Sequence, residues 1–420
     1  MNGERRVKVL FLHGECPPDV NFLAGVFVRE HARAACLWND IVVLYAYPDP
    51  ARDRRSLPRV SEVREDGIRT IRVRYGGIVF YWWRKITGRA NEHVGSSETN
   101  SRIAGWKRLL AVPRVAIADL IYYWSILWAF RRLVRQGWRP DVIHAHAYSA
   151  GVPAAILGRL YRIPVLVTEH SSAFPRHLLT GTERLKARFA MNRAEMVLPV
   201  SDYLRVHIES CGVRNEFRIV PNVVDTEVFY PMPQHNEEAA GGHKRLLFVG
   251  NLIAVKGLPY LLEALGQIRQ KRQDYRLDVV GDGASRSEYE ELASRLGLDG
   301  VVRFHGPKPR EQVAQFMREC AFLVQPSLQE TFGVVYIEAM ACGKPVIATS
   351  AGGPTEFVDE SVGVLVPPED AAALRKAIEY MLDNHQRYSC EKIARHAREK
   401  FSYEVVGRML DGVYRQVVVR

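Results

Sequence analysis

Two carboxylates, Glu330 and Glu338, stand with seven residues between them in a segment that passes from a loop into a helix. The helix starts at Gly333, and the backbone N–H groups of Gly333, Val334 and Val335 have no acceptor within its first turn. These groups and the positive end of the helix dipole suit a phosphate, which the missing Cβ of Gly333 allows to come close. Glu338 lies about 7.5 Å further along the helix axis, within reach of a hydroxyl group of the same ligand. The segment predicts a site for a diphosphate between two hydroxyl-binding carboxylates, as a nucleotide sugar requires.

Two further polar residues follow predicted strands. Lys256 lies in a turn between the strand Leu246–Gly250 and a helix. Its ammonium group would therefore face the crevice where open α/β sheets bind ligands, and it could pair with a diphosphate as a point charge. His170 closes the strand Val165–His170 and could contact a bound sugar or its acceptor. The plain alternatives are a solvated loop lysine and a structural histidine.

A metal site and a nicotinamide site were also considered. His144 and His146 form a His-x-His pair on the strand Asp141–His146, but no third ligand is evident in the neighbouring sequence, so we expect no metal. The turn Val280–Gly283 does not complete G-x-G-x-x-G and predicts no nicotinamide site. We therefore expect no cofactor, with the nucleotide sugar as a co-substrate.

Strand-like and helical runs alternate along almost the whole chain of 420 residues. This alternation predicts an α/β fold with parallel sheets and helices on both faces. Residues 230–243 are rich in Pro, Gly and charge, which is typical of a linker. The expected parts are an N-terminal domain at 1–229 with a basic aromatic insertion at about 77–135, the linker at 230–243, a C-terminal domain at 244–400 and a last helix at 401–420.

Basic residues are concentrated in one part of the chain. Residues 51–200 contain 26 Lys and Arg against 11 Asp and Glu, within a net charge of +11 for the chain. This asymmetry favours an anionic partner, although solubility alone could explain it. Trp82, Trp83 and Trp106 have basic neighbours, which suits the headgroup layer of a membrane, whereas residues 115–130 could equally form a buried helix. We predict contact with an anionic membrane surface through residues 51–200, and no nucleic acid.

The cysteines and the apolar stretches bear on the compartment. The six cysteines include no C-x-x-C pair, which favours reduced thiols in a cytoplasm over a zinc site or a disulfide framework. The longest apolar stretch, Val115–Phe130, contains Asp119 and is shorter than the roughly 20 residues of a spanning helix. We expect a cytoplasmic protein that is peripheral on the inner face of the plasma membrane.

Together these residues resemble the retaining GT-B glycosyltransferases of family 4, also called the glycosyl transferases group 1 family. The most specific feature is the Glu330/Glu338 pair, and Lys256-Gly257, Thr168–His170 and Gly352-Gly353 agree with it in type and order. The resemblance covers residues 7 to about 370. It implies a GT-B architecture, in which two Rossmann-like domains face a central cleft, the second holds most of the nucleotide, and the last helix crosses back to the first.

The resemblance also implies a role for each site residue. Glu330 would approach the hydroxyl groups and the reacting face of the donor sugar, and His170 would lie near its anomeric carbon. Glu338 would bind the ribose, while Lys256 and the amides of residues 333–335 would bind the diphosphate.

Other donor contacts are implied less directly. Backbone near Arg303 and Phe304 would contact the base, and Gly25 would let the backbone of the first domain approach the donor. The sequence departs from the family where Asn251 replaces a frequent arginine and where Ala24-Gly25 replaces a Gly-Gly pair. Neutralisation of the phosphates would then depend more on Lys256 and the helix dipole.

We predict that the chain transfers a sugar from a nucleoside diphosphate, with UDP slightly favoured over GDP, with retention and without a metal. The acceptor would be a glycan or a lipid-linked molecule in surface polysaccharide or glycolipid synthesis. A front-face attack is favoured over a covalent intermediate on Glu330. Two alternatives stay open: a nucleotide-sugar epimerase or hydrolase of the same fold, and a non-catalytic carbohydrate- or nucleic-acid-binding relative.

Overall fold

A computed structural model describes residues 5–14, 26–48, 59–75, 105–232, 238–239 and 242–419, with backbone alone for 105–117 and 238–239. Two mainly parallel sheets are covered by helices, which confirms the predicted α/β class. The strands are β1 (Lys8–His13), β2 (Asp40–Pro48), β3 (Arg59–Glu65), β4 (Ile68–Tyr75), β5 (Val142–His146), β6 (Val165–Glu169), β7 (Met196–Pro199), β8 (Glu238–Ala239), β9 (His243–Val249), β10 (Tyr275–Val280), β11 (Val302–Gly306), β12 (Phe322–Gln325), β13 (Val346–Thr349) and β14 (Gly363–Val366). The helices are α1 (Val26–Cys36), α2 (Gly105–Arg135), α3 (Tyr148–Tyr161), α4 (Gly181–Met191), α5 (Asp202–Ser210), α6 (Leu258–Arg269), α7 (Arg286–Arg295), α8 (Arg310–Glu319), α9 (Val334–Ala341), α10 (Ala371–Asn384), α11 (Cys390–Phe401) and α12 (Tyr403–Val419).

The first sheet has the strand order β3-β4-β2-β1-β5-β6-β7. Its strands are parallel except for β3, which pairs antiparallel with β4. The central strands β1, β5 and β6 are buried along almost their whole length, because helices cover both faces of the sheet. The order reverses between β1 and β5, so the loops after these two strands diverge and leave a crevice at their carboxyl ends.

The hairpin of β3 and β4 has no counterpart among the sequence-based expectations. Asp66 and Gly67 form its two-residue turn, with φ of 47° and 76°. Such a turn needs two residues in the left-handed region, and Asp-Gly between alternating apolar residues is a recognised signal for it. The sequence of residues 59–75 therefore carries a recognisable signal for a β-hairpin, a structure that does not belong to the βα alternation.

The second sheet has the order β11-β10-β9-β12-β13-β14, and all six of these strands are parallel. The short strand β8 lies in the predicted linker and pairs antiparallel with β9. The strand order reverses between β9 and β12. The loop after β9, which carries Lys256, and the loop after β12, which carries Glu330, therefore flank the second crevice.

The last helix, α12, returns to the first domain and packs on α1. Gly407 permits this contact, because a Cβ atom there would lie 2.2 Å from the carbonyl oxygen of Ala34. At the start of the helix the hydroxyl group of Tyr403 lies 3.1 Å from Oδ2 of Asp225, a buried residue of the first domain. The chain thus crosses twice between the two sheets, once between β7 and β9 and once near residue 402.

Helix α2 combines a buried face with an exposed apolar face. Tyr122, Ile126 and Phe130 pack in the core of the first domain, whereas Leu120 and Trp124 are 64% and 53% exposed. The buried-helix alternative for residues 115–130 therefore holds for one side of this helix. Residues 76–104, with Trp82 and Trp83, and the side chain of Trp106 lie outside the described part. None of the helices in the described ranges has the length and apolar character needed to cross a bilayer.

Candidate functional site

Lys256 and Glu330 meet at the crevice of the second sheet. The ammonium group of Lys256 lies 2.6 Å from Oε2 of Glu330. Lys256 ends a single 3-10 turn, Ala254–Lys256, and the amide of Leu328 donates to the carbonyl of Val255 at 2.8 Å, which ties the two loops together. Two residues 74 positions apart are thus joined because their strands, β9 and β12, are neighbours.

Backbone contacts fix the loop that carries Glu330. The amide of Glu330 donates to the carbonyl of Ala351, and the amide of Gly353 donates to the carbonyl of Glu330, each at 2.9 Å. Gly352 has φ of 114°, and a Cβ atom there would lie 2.2 Å from the carbonyl oxygen of Glu330. The glycine pair is therefore required for the backbone approach that holds Glu330 in place.

Helix α9 begins beside this loop. Its N-cap, Gly333, has φ of 86°, and a Cβ atom there would lie 3.1 Å from Cγ of Glu330, so the Glu330 side chain passes directly over the helix start. Val334 and Val335 form the first turn and are half-buried. Lys256 and the start of α9 therefore both lie beside the Glu330 side chain.

Glu338 lies one turn further along α9 and is half-buried. Burial raises its pKa to about 7, against the attraction of Arg310 and with the help of repulsion from Glu30. Arg310 in turn forms an ion pair of 2.9 Å with Glu30 of the first domain. A carboxyl group with a pKa near neutrality can change its protonation when a ligand that donates hydrogen bonds arrives.

His170 follows β6 in the first domain and is held on both nitrogens. Nδ1 lies 3.0 Å from Oδ1 of Asn222, and Nε2 lies 3.2 Å from Nδ1 of His146. The ring of Phe27 stacks on it with the centroids 5.7 Å apart. Burial keeps the pKa of His170 well below its ordinary value, so the imidazole is neutral.

The two crevices face each other, and direct contacts join them. The hydroxyl group of Thr331 donates to the carbonyl oxygen of His170 at 3.2 Å, and the hydroxyl group of Ser201 donates to the carbonyl of Thr331 at 2.6 Å. Glu356 accepts hydrogen bonds from the first two amides of α5. His170 and the loop of Glu330, predicted separately from the sequence, therefore lie in one cleft.

The histidines group differently from the sequence pattern. His144, the first residue of the His-x-His pair, is bonded to the hydroxyl groups of Tyr414 at 2.8 Å and Thr168 at 2.7 Å. His146 instead lies with His31 of α1 and with His170, and one ring nitrogen from each of these three lies within 4.8 Å of the others. Burial lowers the pKa of His31 to about 4 and that of His146 well below its ordinary value.

Other expected donor contacts lie further from this centre. Asn251 is exposed just after β9. Arg303 and Phe304 lie on the edge strand β11, two strands from β9, where Arg303 is exposed and Phe304 half-buried. Gly25 lies outside the described residues. Local sequence does not distinguish His31, Arg310 and Thr331 from other residues, because a histidine or arginine on an amphipathic helix and a threonine in a loop carry no particular sequence signal.

Two family profiles match the chain. The family described as Glycosyl transferases group 1 matches residues 234–400, and the family described as Glycosyltransferase Family 4 matches residues 86–228. An uncharacterised glycosyltransferase of Methanocaldococcus jannaschii is 31% identical over 269 residues, which are 63% of this chain and 72% of that protein. A D-inositol 3-phosphate glycosyltransferase of Corynebacterium aurimucosum is 29% identical over 299 residues, with 65% and 71% covered.

Solved structures share the fold over nearly the whole chain. Sucrose-phosphate synthase from Thermosynechococcus elongatus superposes with a TM-score of 0.71 at 22% identity and covers 99% of this chain and 100% of its own. HepE of Anabaena, in complex with UDP and glucose, gives a TM-score of 0.66 at 21% identity and covers 98% and 100%. At these identities the likeness concerns the fold alone, and the fold is the predicted GT-B architecture.

Proposed function

Because this chain belongs to the GT-B glycosyltransferases of family 4, we propose that it is a retaining enzyme acting on a nucleoside-diphosphate sugar. The observation that carries the proposal is the pair of Lys256 and Glu330, 2.6 Å apart, over the N-terminus of α9. Thr331 links this pair to His170 across the cleft at 3.2 Å. A diphosphate and the sugar attached to it would fill the space between these groups.

Lys256 and α9 would stabilise the leaving group. As the bond between the sugar and the phosphate breaks, negative charge gathers on the diphosphate, and a fixed ammonium group with backbone amides lowers the energy of that state. Glu330 holds the ammonium group of Lys256. A bound diphosphate would compete for Lys256 and release the Glu330 carboxylate toward the sugar hydroxyl groups. Because these groups supply the neutralising charge, the transfer step needs no metal.

Retention at the anomeric carbon would follow from attack on the face that the diphosphate leaves. In this arrangement the departing phosphate accepts the proton of the acceptor hydroxyl group. The backbone carbonyl and the imidazole of His170 would line the opposite side of the sugar. The neutral imidazole of His170 suits contact with a sugar hydroxyl group rather than with a phosphate. Closure of the two domains over the donor would limit hydrolysis by water.

UDP is the favoured nucleotide and a membrane-bound glycan precursor the favoured acceptor. The complex of HepE with UDP and glucose supports UDP by likeness of fold. For the acceptor, Leu120 and Trp124 of α2 and Leu185 of α4 are more than half exposed, and the salt bridge from Lys186 to Asp119 joins these helices. This apolar face belongs to the domain with the basic excess and suits the surface of an anionic membrane.

The donor site is tested by thermal shift and turnover with UDP-, GDP- and ADP-sugars. We expect one nucleotide class to stabilise the wild type, and Glu338→Ala to remove that stabilisation because the ribose loses its acceptor. Glu291→Ala, which changes an exposed carboxylate of α7, serves as the control. No shift with any nucleotide at millimolar concentration would favour the non-catalytic binding protein instead.

The stereochemistry and the membrane contact need separate measurements. The anomeric configuration of the transferred sugar, read by NMR, should equal that of the donor, and inversion would refute the retaining mechanism. Co-sedimentation with anionic vesicles at low salt should fall in Trp124→Gln and stay unchanged in Tyr380→Gln, an exposed aromatic of α10. Equal pelleting of both variants would exclude this face of α2 from membrane binding.

A further inference from the structure

Three histidines from separate elements converge in the wall of the cleft. His31 lies on α1, His146 ends β5, and His170 follows β6. One ring nitrogen from each lies within 4.8 Å of the other two. The parallel register of β5 and β6 places His146 beside Thr168, so His146 and His170 lie at the same end of the sheet. The ring of His31 on α1 packs against the ring of His170.

Hydrogen bonds to other groups determine which ring nitrogens of His31 and His170 carry a lone pair. Nε2 of His31 donates to the carbonyl oxygen of Pro221 at 3.0 Å, so its buried Nδ1, which has no protein partner in the described part of the chain, carries a lone pair. Nδ1 of His170 donates to Oδ1 of Asn222 at 3.0 Å, so its Nε2 carries another, which accepts a hydrogen bond from Nδ1 of His146 at 3.2 Å. A metal ion between these two nitrogens would therefore require the proton of His146 to move from Nδ1 to Nε2. Metal-binding histidines are typically oriented in this way, by a carbonyl oxygen on the nitrogen that does not bind the metal.

The spacing also fits a metal ion. Ligand nitrogens at about 2.0–2.1 Å from a tetrahedral zinc ion are about 3.3 Å apart. Nδ1 of His146 and Nε2 of His170 are 3.2 Å apart. The third nitrogen is within 4.8 Å, so His31 has to approach by at most about 1.5 Å to complete the set.

We propose that His31, His146 and His170 bind a divalent transition metal ion, zinc above all. Three neutral imidazole ligands suit zinc, and also cobalt or nickel. The His-x-His pattern of the sequence does not predict this set, because the side chain of His144 is bonded to Tyr414. The partners of His146 are instead His31, 115 positions earlier, and His170, 24 positions later.

Metal binding would oppose sugar transfer, and this part rests on the proposed function. A metal on Nε2 of His170 occupies the imidazole that would otherwise contact the donor sugar. Micromolar zinc is therefore expected to inhibit transfer, whereas EDTA should leave transfer intact. The three histidines would thus form an inhibitory zinc site in an enzyme that uses no metal in its reaction.

The direct test is the metal content of the full chain after dialysis against zinc and then against metal-free buffer. The wild type and His396→Gln, which changes a histidine of α11, should each retain about one zinc ion. Loss of a hydrogen-bond partner of a metal ligand typically weakens metal binding about 10–100-fold. His31→Gln removes a ligand itself, so it should weaken zinc binding by more than this factor. Equal zinc retention by the wild type and His31→Gln, or no zinc retained by the wild type, would overturn the proposal.

A measurement on the wild type alone covers the case in which His31→Gln does not fold. On adding zinc to a ¹⁵N-labelled chain, the ring nitrogens of three histidines should shift together and saturate at one equivalent. A response limited to one histidine, or to cysteine, would refute the three-histidine site. Because neither readout uses activity, a failure of the transferase assay is distinguishable from a failure of metal binding.

Discussion

Glu338 is expected to make the free energy of unfolding depend on pH near neutrality. Burial raises its pKa from 4.5 to about 7. The folded protein therefore keeps a proton that the unfolded chain releases, so the stability from this group is fully present below about pH 4.5 and is lost as the pH rises through about 7. At about 1.4 kcal/mol for each pH unit, complete deprotonation costs the folded state up to about 3 kcal/mol.

Glu338→Gln removes this pH dependence, because the amide has nearly the same shape and does not titrate. By the same linkage, the difference in free energy of unfolding between variant and wild type should shift by about 2.5 kcal/mol in favour of the variant from pH 5 to pH 8. Urea unfolding should be followed by circular dichroism. All seven tryptophans precede residue 139, so fluorescence reports on the first domain, whereas Glu338 lies in the second.

The control is Glu291→Gln, which removes an exposed carboxylate of α7 in the same domain. Its free energy of unfolding should run parallel to that of the wild type across this pH range. If the curve of Glu338→Gln is also parallel to the wild type, the carboxyl group titrates as it would in water. Burial would then not outweigh the attraction of Arg310 in setting the pKa of Glu338.

Three other changes have expected outcomes. Lys256→Ala should lower kcat/KM for the donor by about 10²–10³ in steady-state kinetics, because a fixed positive group at the leaving diphosphate is lost. A change below about tenfold would contradict the role of Lys256. Gly352→Ala should destabilise the fold by at least about 2 kcal/mol in urea unfolding, because its Cβ atom would lie 2.2 Å from the carbonyl oxygen of Glu330, and a neutral result would mean that this loop adapts freely. Tyr403→Phe should cost about 1.5–3 kcal/mol, because the hydroxyl group that donates to the buried carboxylates of Glu30 and Asp225 is lost, with unchanged thermal stability as the contrary result.

Local sequence was sufficient for the parts of the site that lie on one loop and one helix. The segment from Glu330 to Glu338 predicted a glycine entry and a short helix, and the structure has Gly333 at φ of 86° followed by Val334–Ala341. The same holds for the βα alternation, because each strand and helix records its burial in its own periodicity. The Asp66-Gly67 hairpin was also readable from local sequence and was overlooked.

Contacts between distant residues could not be read in this way. The sequence predicted neither the ion pair of Lys256 with Glu330 nor the hydrogen bond from Thr331 to the carbonyl of His170, since each depends on which strand ends become neighbours and how the domains face each other. The pairing of His146 with His31 and His170 likewise follows from strand order and from the packing of α1.

Local patterns were enough to predict the class of fold and the chemical character of the segment from Glu330 to Glu338, because helix starts, glycine turns and apolar periodicity are local properties of the chain. The tertiary structure alone decided which charged and titratable groups share an environment. Burial and the neighbours Arg310 and Glu30 bring the pKa of Glu338 to about 7, and these neighbours come from two different domains. Electrostatic effects depend on distance and solvent exclusion, which a linear pattern does not contain.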